Sequence, residues 1–344
     1  MKKIYLICIK KTAAGGKEKY LLRLSNKMKD LEIDHEIINS NMPSFLPSWL
    51  RVLFFNCYLK IVKRNKFYFS LERISNPDIY RAGDGVHKVH NKNVNKSFLN
   101  PLHPVYLYLE EKCFNKAKKI IVNSKMVKNE IIESYGVNEN KISVIYNGYD
   151  PEKIDYYDSY ERISKQFFVG NKDYILLYAG SGFHRKGVER FINIISQLKN
   201  KDFIAFVVGK DSNMNYYKNL TKEKLIDDKV IFTGSRDDLN DFYNISDFFI
   251  FPTKYEPFSN VVLEAMSYGN VVFTTSKNGA SEILNPEFIM RSADDNSVIK
   301  QIDCLAEDRA LLSKTKMDNI DASKQFSVNR NLTETLRAIN EVID

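Results

Sequence analysis

The chain has 344 residues, 44% of them hydrophobic and 27% charged, with a formal charge of +8. That is the composition of a soluble globular protein long enough for two domains, and it excludes a disordered or fibrous chain. No apolar run approaches 18 residues, so no transmembrane helix is expected, and four scattered cysteines without a Cys-x-x-Cys pair argue for a reducing cytosol and against a structural zinc site or a disulfide framework.

Ile4 to Ile9 reads as a buried first strand; its six-residue apolar run, closed by Lys10-Lys11, is short for a signal peptide. A loop from Lys10 to Gly16 follows, ending in Gly15-Gly16 just before a helix through Met28. Two glycines between a strand and a helix let backbone approach a ligand closely, although an ordinary turn has the same composition. Ile33 to Asn39 is a second strand. Between Glu36 and Glu72 there is no carboxylate. Trp49 to Arg64 reads as a helix with an apolar face of Leu50, Leu53, Phe54, Cys57, Tyr58 and Ile61, and its other side still carries Phe55, Leu59 and Val62 beside Arg51, Lys60 and Lys63. Such a helix is either deeply packed or lies on a lipid surface.

Residues 77–90 read as a strand running into a Gly-rich loop, which puts Asp84, His87 and His90 at the carboxyl end of a strand, where open α/β sheets bind ligands. The loop offers the two histidines no clear third ligand, so polar site groups are preferred to a metal site. Lys88 to Lys119 is basic, with Phe98, Tyr106, Tyr108 and Phe114 among seven lysines, and predicts a second membrane- or acceptor-facing surface. Single-stranded nucleic acid is the competing partner, but no nucleic-acid motif is present. Ile120 to Asn123 is a strand, Ser124 a helix cap, Lys125 to Tyr135 a helix ended by Gly136, and Lys141 to Tyr146 a strand. Tyr149 to Tyr174 loses periodicity. The expected domains are therefore 1–150, a linker over 151–173, a second domain over 174–325, and a C-terminal helix over 326–344.

Tyr174 to Tyr178 opens the second sheet. Residues 179–188, A-G-S-G-F-H-R-K-G-V, set Arg185-Lys186 in a Gly-rich strand-to-helix turn. Arg supplies a bidentate fork and Lys a point charge for phosphate oxygens. Phe203 to Gly209 and Val230 to Gly234 are strands. Arg236 stands just past the second of these, at a strand end where a nucleotide contact and a plain surface role fit equally well. Asp238 to Ile245 is a helix. The strand Phe248 to Phe251 stops at Pro252, a polar loop carries Glu256, and a helix opens at Ser259 or its neighbour with Glu264 in its second turn. The mouth of such a helix favours anions, and flanking carboxylates favour hydroxyls, a pattern that suits a phosphorylated sugar; two exposed acids on an ordinary βαβ unit have the same spacing. Gly279 to Glu282 starts a further helix, and the C-terminal third is helical.

Three runs in the second half, G-S-G-F-H-R-K-G at 180–187, V-I-F-T-G at 230–234 and E-P-F-S-N-V-V-L-E-A-M at 256–266, resemble the family 4 retaining glycosyltransferases, and the last is similar to their E-x7-E signature. Gly15-Gly16, I-V-N-S-K at 121–125 and V-I-Y-N-G-Y-D at 144–150 agree, and R-A-G-D-G-V-H at 81–87 resembles the subset near the bacterial lipopolysaccharide core glucosyltransferase. The resemblance implies an α/β protein of two Rossmann-like domains facing across a cleft (GT-B), with the C-terminal helix returning to the N-terminal domain. It implies that Arg185 and Lys186 hold the diphosphate of a nucleotide-sugar donor, expected to be a UDP-sugar, that Glu264 binds the ribose diol, and that Glu256 faces the donor sugar. Backbone at Phe258, Ser259 and Asn260 would bind sugar or phosphate, Gly15 and Gly16 would approach the phosphate, and Asp84 and His87 would line the site. It implies a metal-independent, retaining hexosyltransferase without a cofactor. Such an enzyme would act on a glycolipid acceptor, lipopolysaccharide or lipooligosaccharide core, from the anionic inner face of the cytoplasmic membrane. A nucleotide-sugar epimerase of the same fold and a non-catalytic nucleotide-sugar binding module are the alternatives. The sequence departs from the family after Gly16, where Lys17-Glu18-Lys19 stands.

Overall fold

The computed structural model describes residues 2–9, 15–94, 100–170, 174–292 and 294–343. Most of the predicted loop before Gly15, and Phe98, lie outside the described residues. The chain forms two compact units, one of residues 1–146 with 329–344 and one of residues 147–328.

The first unit contains β1 (Ile4–Cys8), α1 (Gly16–Asp30), β2 (His35–Asn39), α2 (Ser48–Val62), β3 (Phe67–Ser70), β4 (Ile79–Arg81), α3 (His87–Val94), α4 (Leu102–Lys116), β5 (Lys119–Val122), α5 (Lys125–Tyr135) and β6 (Ile142–Val144). Its six strands pair in parallel in the order β2-β1-β3-β4-β5-β6. Inner strands such as β1 and β3 are short continuous apolar runs, as parallel strands covered on both faces must be, while the edge strand β2 is only partly buried. Ser124 caps α5 by accepting from the Val127 amide at 3.2 Å, as the sequence predicts.

The second unit holds α6 (Tyr156–Phe167), β7 (Tyr174–Ala179), α7 (Phe183–Lys186), α8 (Val188–Ser196), β8 (Phe203–Val208), α9 (Met214–Glu223), β9 (Val230–Gly234), α10 (Leu239–Ile245), β10 (Phe248–Phe251), α11 (Asn260–Ser267), β11 (Val271–Thr275), β12 (Ile289–Met290), α12 (Ser297–Glu307) and α13 (Arg309–Ser323). Its parallel sheet runs β12-β11-β10-β7-β8-β9. The inner strands β7, β8, β10 and β11 are buried at every residue. The final helix, α14 (Val328–Asn340), turns Leu332, Thr335, Leu336 and Ile339 inward at helical spacing. It belongs to the first unit: Thr335 meets the Tyr20 hydroxyl at 3.0 Å, and Asn331 donates to the Tyr146 carbonyl at 2.6 Å.

Five expectations are corrected. Residues 151–173 are not a plain linker: Asp155 caps α6 by accepting from the Tyr157 and Asp158 amides. Ser159 and Arg162 of that helix then bond Asp241 of α10 at 2.9 Å. The helical spacing of Ser159, Ile163 and Phe167 is masked in the sequence by Tyr156, Tyr157 and Tyr160 on the other faces. The predicted boundaries near 150 and 325 shift to 146 and 328. The apolar face assigned to α2 is the wrong one, since Val52, Phe55, Asn56 and Leu59 are buried while Phe54, Cys57, Tyr58 and Ile61 are exposed. Within Lys88–Lys119, Phe114 is fully buried and belongs to the core rather than to a binding surface. The predicted helix at Gly279 is a single 3₁₀ turn, Gly279–Ile283.

Candidate functional site

In an open parallel sheet, ligands bind beyond the carboxyl ends of the strands where the strand order reverses. In the second unit that reversal lies between β7 and β10. The two loops leaving these strands carry most of the residues singled out from the sequence.

Past β7, Gly187 separates α7 from α8 with a φ of 85°, and a Cβ there would stand 2.0 Å from the Pro252 carbonyl oxygen. Only glycine lets the two loops approach so closely. They are then sewn together, with the Lys254 amide and the Thr253 hydroxyl donating to the Arg185 carbonyl at 3.0 and 3.3 Å. The Arg185 guanidinium donates to the Tyr255 carbonyl at 3.0 Å and makes a short charged bond to Glu256. Lys186 Nζ lies 3.6 Å from the same Glu256 oxygen and 5.7 Å from the Phe251 ring centre. All three charged side chains are mostly buried, so Glu256 is the counter-ion of two cations, and the cluster keeps a net positive charge.

The mouth of α11 follows directly. The Ser259 amide donates to Asn278 Oδ1 at 3.2 Å, while the Ser259 hydroxyl is buried without a hydrogen-bond partner among the described residues. Asn260 starts the helix on its exposed side. Phe258 is buried. One turn further, Glu264 Oε2 accepts from the Tyr243 hydroxyl at 3.1 Å. Burial, and next the Glu264 carboxylate, push the Tyr243 phenol well above its ordinary pKa, so it stays a donor. Tyr243 was not singled out from the sequence, where it is one aromatic of a short mixed helix with nothing in its spacing to link it to Glu264. Arg236 is engaged elsewhere: it pairs with Asp238, reaches Gln166 at 2.8 Å and lies over the Phe167 and Phe242 rings.

In the first unit the order reverses between β1 and β3. Gly15 caps α1 and Gly16 opens it, with Glu18 folded so close that a Cβ on Gly15 would lie 2.3 Å from its Oε2. Asp84, in the loop after β4, is held by Lys17 at 2.6 Å, and Lys17 also reaches Glu72 at 3.2 Å. Burial pushes the Asp84 carboxyl up, but Lys17, then Arg73 and Arg81, outweigh it and hold the pKa below the usual value. Glu110 on α4, fully buried, accepts from Arg73 Nε at 2.9 Å, from the His87 and Lys88 amides at 2.7 and 3.2 Å, and from the Tyr135 hydroxyl at 2.7 Å. It therefore fixes the start of α3 and the position of His87. His87 Nε2 stands 3.1 Å from His103 Nδ1, and Tyr106 packs edge-on against the His87 ring. Burial, and next Arg73, lower the His87 pKa to about 4, so the ring is neutral at ordinary pH. Glu72, Arg73, Glu110 and His103 were not singled out from the sequence, since nothing in their spacing links them.

Residues 14–153 match the family model Glycosyltransferase Family 4, and residues 159–324 match Glycosyl transferases group 1. A 4-alpha-N-acetylgalactosaminyltransferase of Campylobacter jejuni, named for a diphospho-undecaprenol-linked substrate, is 23% identical over 89% of this chain and 76% of its own. An uncharacterized glycosyltransferase of Methanocaldococcus jannaschii is 31% identical over 53% of this chain, and the match spans about half (47%) of that relative's length. Among solved structures, WaaG, a glycosyltransferase involved in lipopolysaccharide biosynthesis, superposes with a TM-score of 0.80 at 17% identity over 98% of both chains. Anabaena HepE in complex with UDP-glucose gives 0.72 at 18% identity, over 98% of this chain and 100% of its own. With glycosyltransferase models over both units and two Rossmann-like sheets of this order, the chain belongs to the family 4-type glycosyltransferases of GT-B fold.

Proposed function

We propose that this chain transfers a sugar, with retention and without a metal, from a UDP-sugar to a cell-surface glycolipid such as a lipopolysaccharide or lipooligosaccharide core. The observation that carries the reading is the Arg185–Lys186–Glu256 cluster at the switch point of the second sheet, beside the α11 mouth. When a sugar–phosphate bond breaks, negative charge builds on the diphosphate. Two fixed cations and a helix N-terminus stabilise that charge without reorganising. Glu256 faces the donor sugar and Glu264 takes the ribose hydroxyls. Backbone at Phe258 to Asn260 meets sugar or phosphate, as does that at Gly15 and Gly16. Asp84, ionised, and His87, neutral, hold sugar hydroxyls. The departing phosphate oxygen accepts the acceptor hydroxyl's proton while the new bond forms on the face the phosphate leaves. The UDP-glucose complex of HepE and the lipid-linked substrate in the Campylobacter relative's name favour these substrate classes.

Lys186→Ala and Glu256→Ala are each expected to lower turnover at least tenfold, about 1.4 kcal/mol of barrier. Calorimetry against a panel of nucleotide-sugars identifies the donor first, and wild-type turnover in either variant with that donor would remove the site assignment.

The enzyme is proposed to work on the inner face of the cytoplasmic membrane. Among the described residues no helix is long and apolar enough to cross a membrane. The outer face of α2, however, exposes Phe54, Tyr58 and Ile61, with Phe45 just before it, and Lys60 and Arg64 stand beside them. Apolar side chains ringed by basic ones suit the headgroup boundary of an anionic bilayer.

A further inference from the structure

We propose that Lys17, the first residue of the Lys17-Glu18-Lys19 run, is a positioning residue that holds Asp84 beside Glu72, with Asp84 turned to a sugar hydroxyl. The inference rests on the role given to Asp84 above.

The three residues come from three segments that meet at the switch point of the first sheet. Glu72 lies two residues past β3, and its Oε1 accepts from the Ile9 amide, just past β1, at 3.2 Å, with Cys8 Sγ 3.9 Å away. Its Oε2 takes Lys17 at 3.2 Å. Both oxygens of Glu72 are thus engaged, and its side chain is 13% exposed. Asp84 differs: only Oδ2 meets Lys17, at 2.6 Å, and the side chain is 51% exposed. Glu72 is the anchor, Lys17 the bridge, and Asp84 the member open to a ligand. An ammonium bound by a fixed carboxylate on one side presents a fixed point to the other, which orients Asp84 as a free lysine would not.

The electrostatics follow from the same geometry. Two carboxylates that share one ammonium repel each other once it is removed, and one of them then takes up a proton more readily. Arg73 and Arg81 also act on Asp84, and the Tyr80 and Tyr106 phenols lie within its field. The two arginines are committed elsewhere, Arg73 to Glu110 and Arg81 over the Tyr20 ring at 3.7 Å. Among the described residues, Lys17 bonds the Asp84 carboxylate directly.

The test is the titration of Asp84 in the full-length protein labelled with ¹³C at aspartate Cγ, its resonance assigned by its loss in Asp84→Asn. In the wild type the midpoint should lie below the ordinary aspartate range. In Lys17→Met it should rise by at least about one pH unit. In Glu72→Gln, where Lys17 serves Asp84 alone, it should fall further. A mere fastening of α1 to the two loops would lower thermal stability in both variants and leave the acid limb of turnover unmoved, while unmoved Asp84 midpoints in folded protein overturn the proposal outright. Because the two variants shift in opposite directions, failure of one to fold leaves the other decisive. Turnover separates the underlying reading: if Asp84→Asn is fully active, the role of Asp84 falls, and with it the positioning role. If Asp84→Asn is impaired, the acid limb of turnover should move to higher pH in Lys17→Met.

Discussion

Glu256 cannot act as a free carboxylate, because Arg185 and Lys186 both point at one of its oxygens. On the proposed reading, a donor diphosphate entering there would compete for cations that are already oriented, and Glu256 would set the geometry of the phosphate clamp as well as meeting the sugar. His87 presents the opposite case, a group kept uncharged chiefly by burial. Its pKa falls to about 4 in the folded chain, against about 6.5 when unfolded. Between those values the unfolded chain binds more protons, so stability falls as pH drops from about 6.5 towards 4. The melting temperature of the wild type should therefore decline across this window more steeply than that of His87→Phe, which keeps a ring between His103 and Tyr106; equal slopes would mean that His87 is protonated in the native state. At this scale the sequence was informative where chemistry is local. Arg185, Lys186, Glu256 and Ser259 lie in two short loops whose glycine, proline and cap residues mark strand ends. Glu110, which organises the start of α3, reads in the sequence as an ordinary acidic residue of α4, because its four donors arrive from residues 73, 87, 88 and 135.

Elements were read well wherever one period dominates. β9, β10 and α5 occur where their apolar runs and caps put them. α2 shows why the rest was harder. Its apolar residues go all the way round, so periodicity found the helix but could not say which side packs. The packed side is that of Phe55 and Leu59, which join Ile7, Tyr68 and Ile74 in one cluster. The two faces should then separate in experiment. Phe55→Ala should cost about 3–5 kcal/mol in urea unfolding, the usual loss for a deleted core aromatic. Phe54→Ser should change stability by no more than about 0.5 kcal/mol and instead weaken pelleting with anionic vesicles. Salt should release the wild type from those vesicles, since screening weakens the lysine and arginine share of the attraction. Vesicle binding unaffected by Phe54→Ser would remove α2 from the proposed membrane surface.

The two units repeat one solution: a parallel six-stranded sheet whose order reverses once, with charged groups gathered beyond the strand ends at the reversal. In the second unit the gathered groups carry a net positive charge, Arg185 and Lys186 against Glu256; in the first, Lys17 is shared by Glu72 and Asp84. On the proposed reading, the anion would be held by the second unit and sugar hydroxyls by the first. A nucleoside diphosphate without its sugar should depend mainly on the second unit. At a hundred times its dissociation constant, UDP would stabilise the state it binds by about 2.7 kcal/mol. Because amide exchange reports openings segment by segment, that gain should appear as slowed exchange over residues 180–187 and 256–264, with a weaker effect over residues 67–87. Lys186→Ala should abolish the protection without altering exchange in the absence of UDP. Protection centred on residues 67–87 would place the phosphate site in the other unit and reverse the division of labour between Arg185–Lys186 and Lys17.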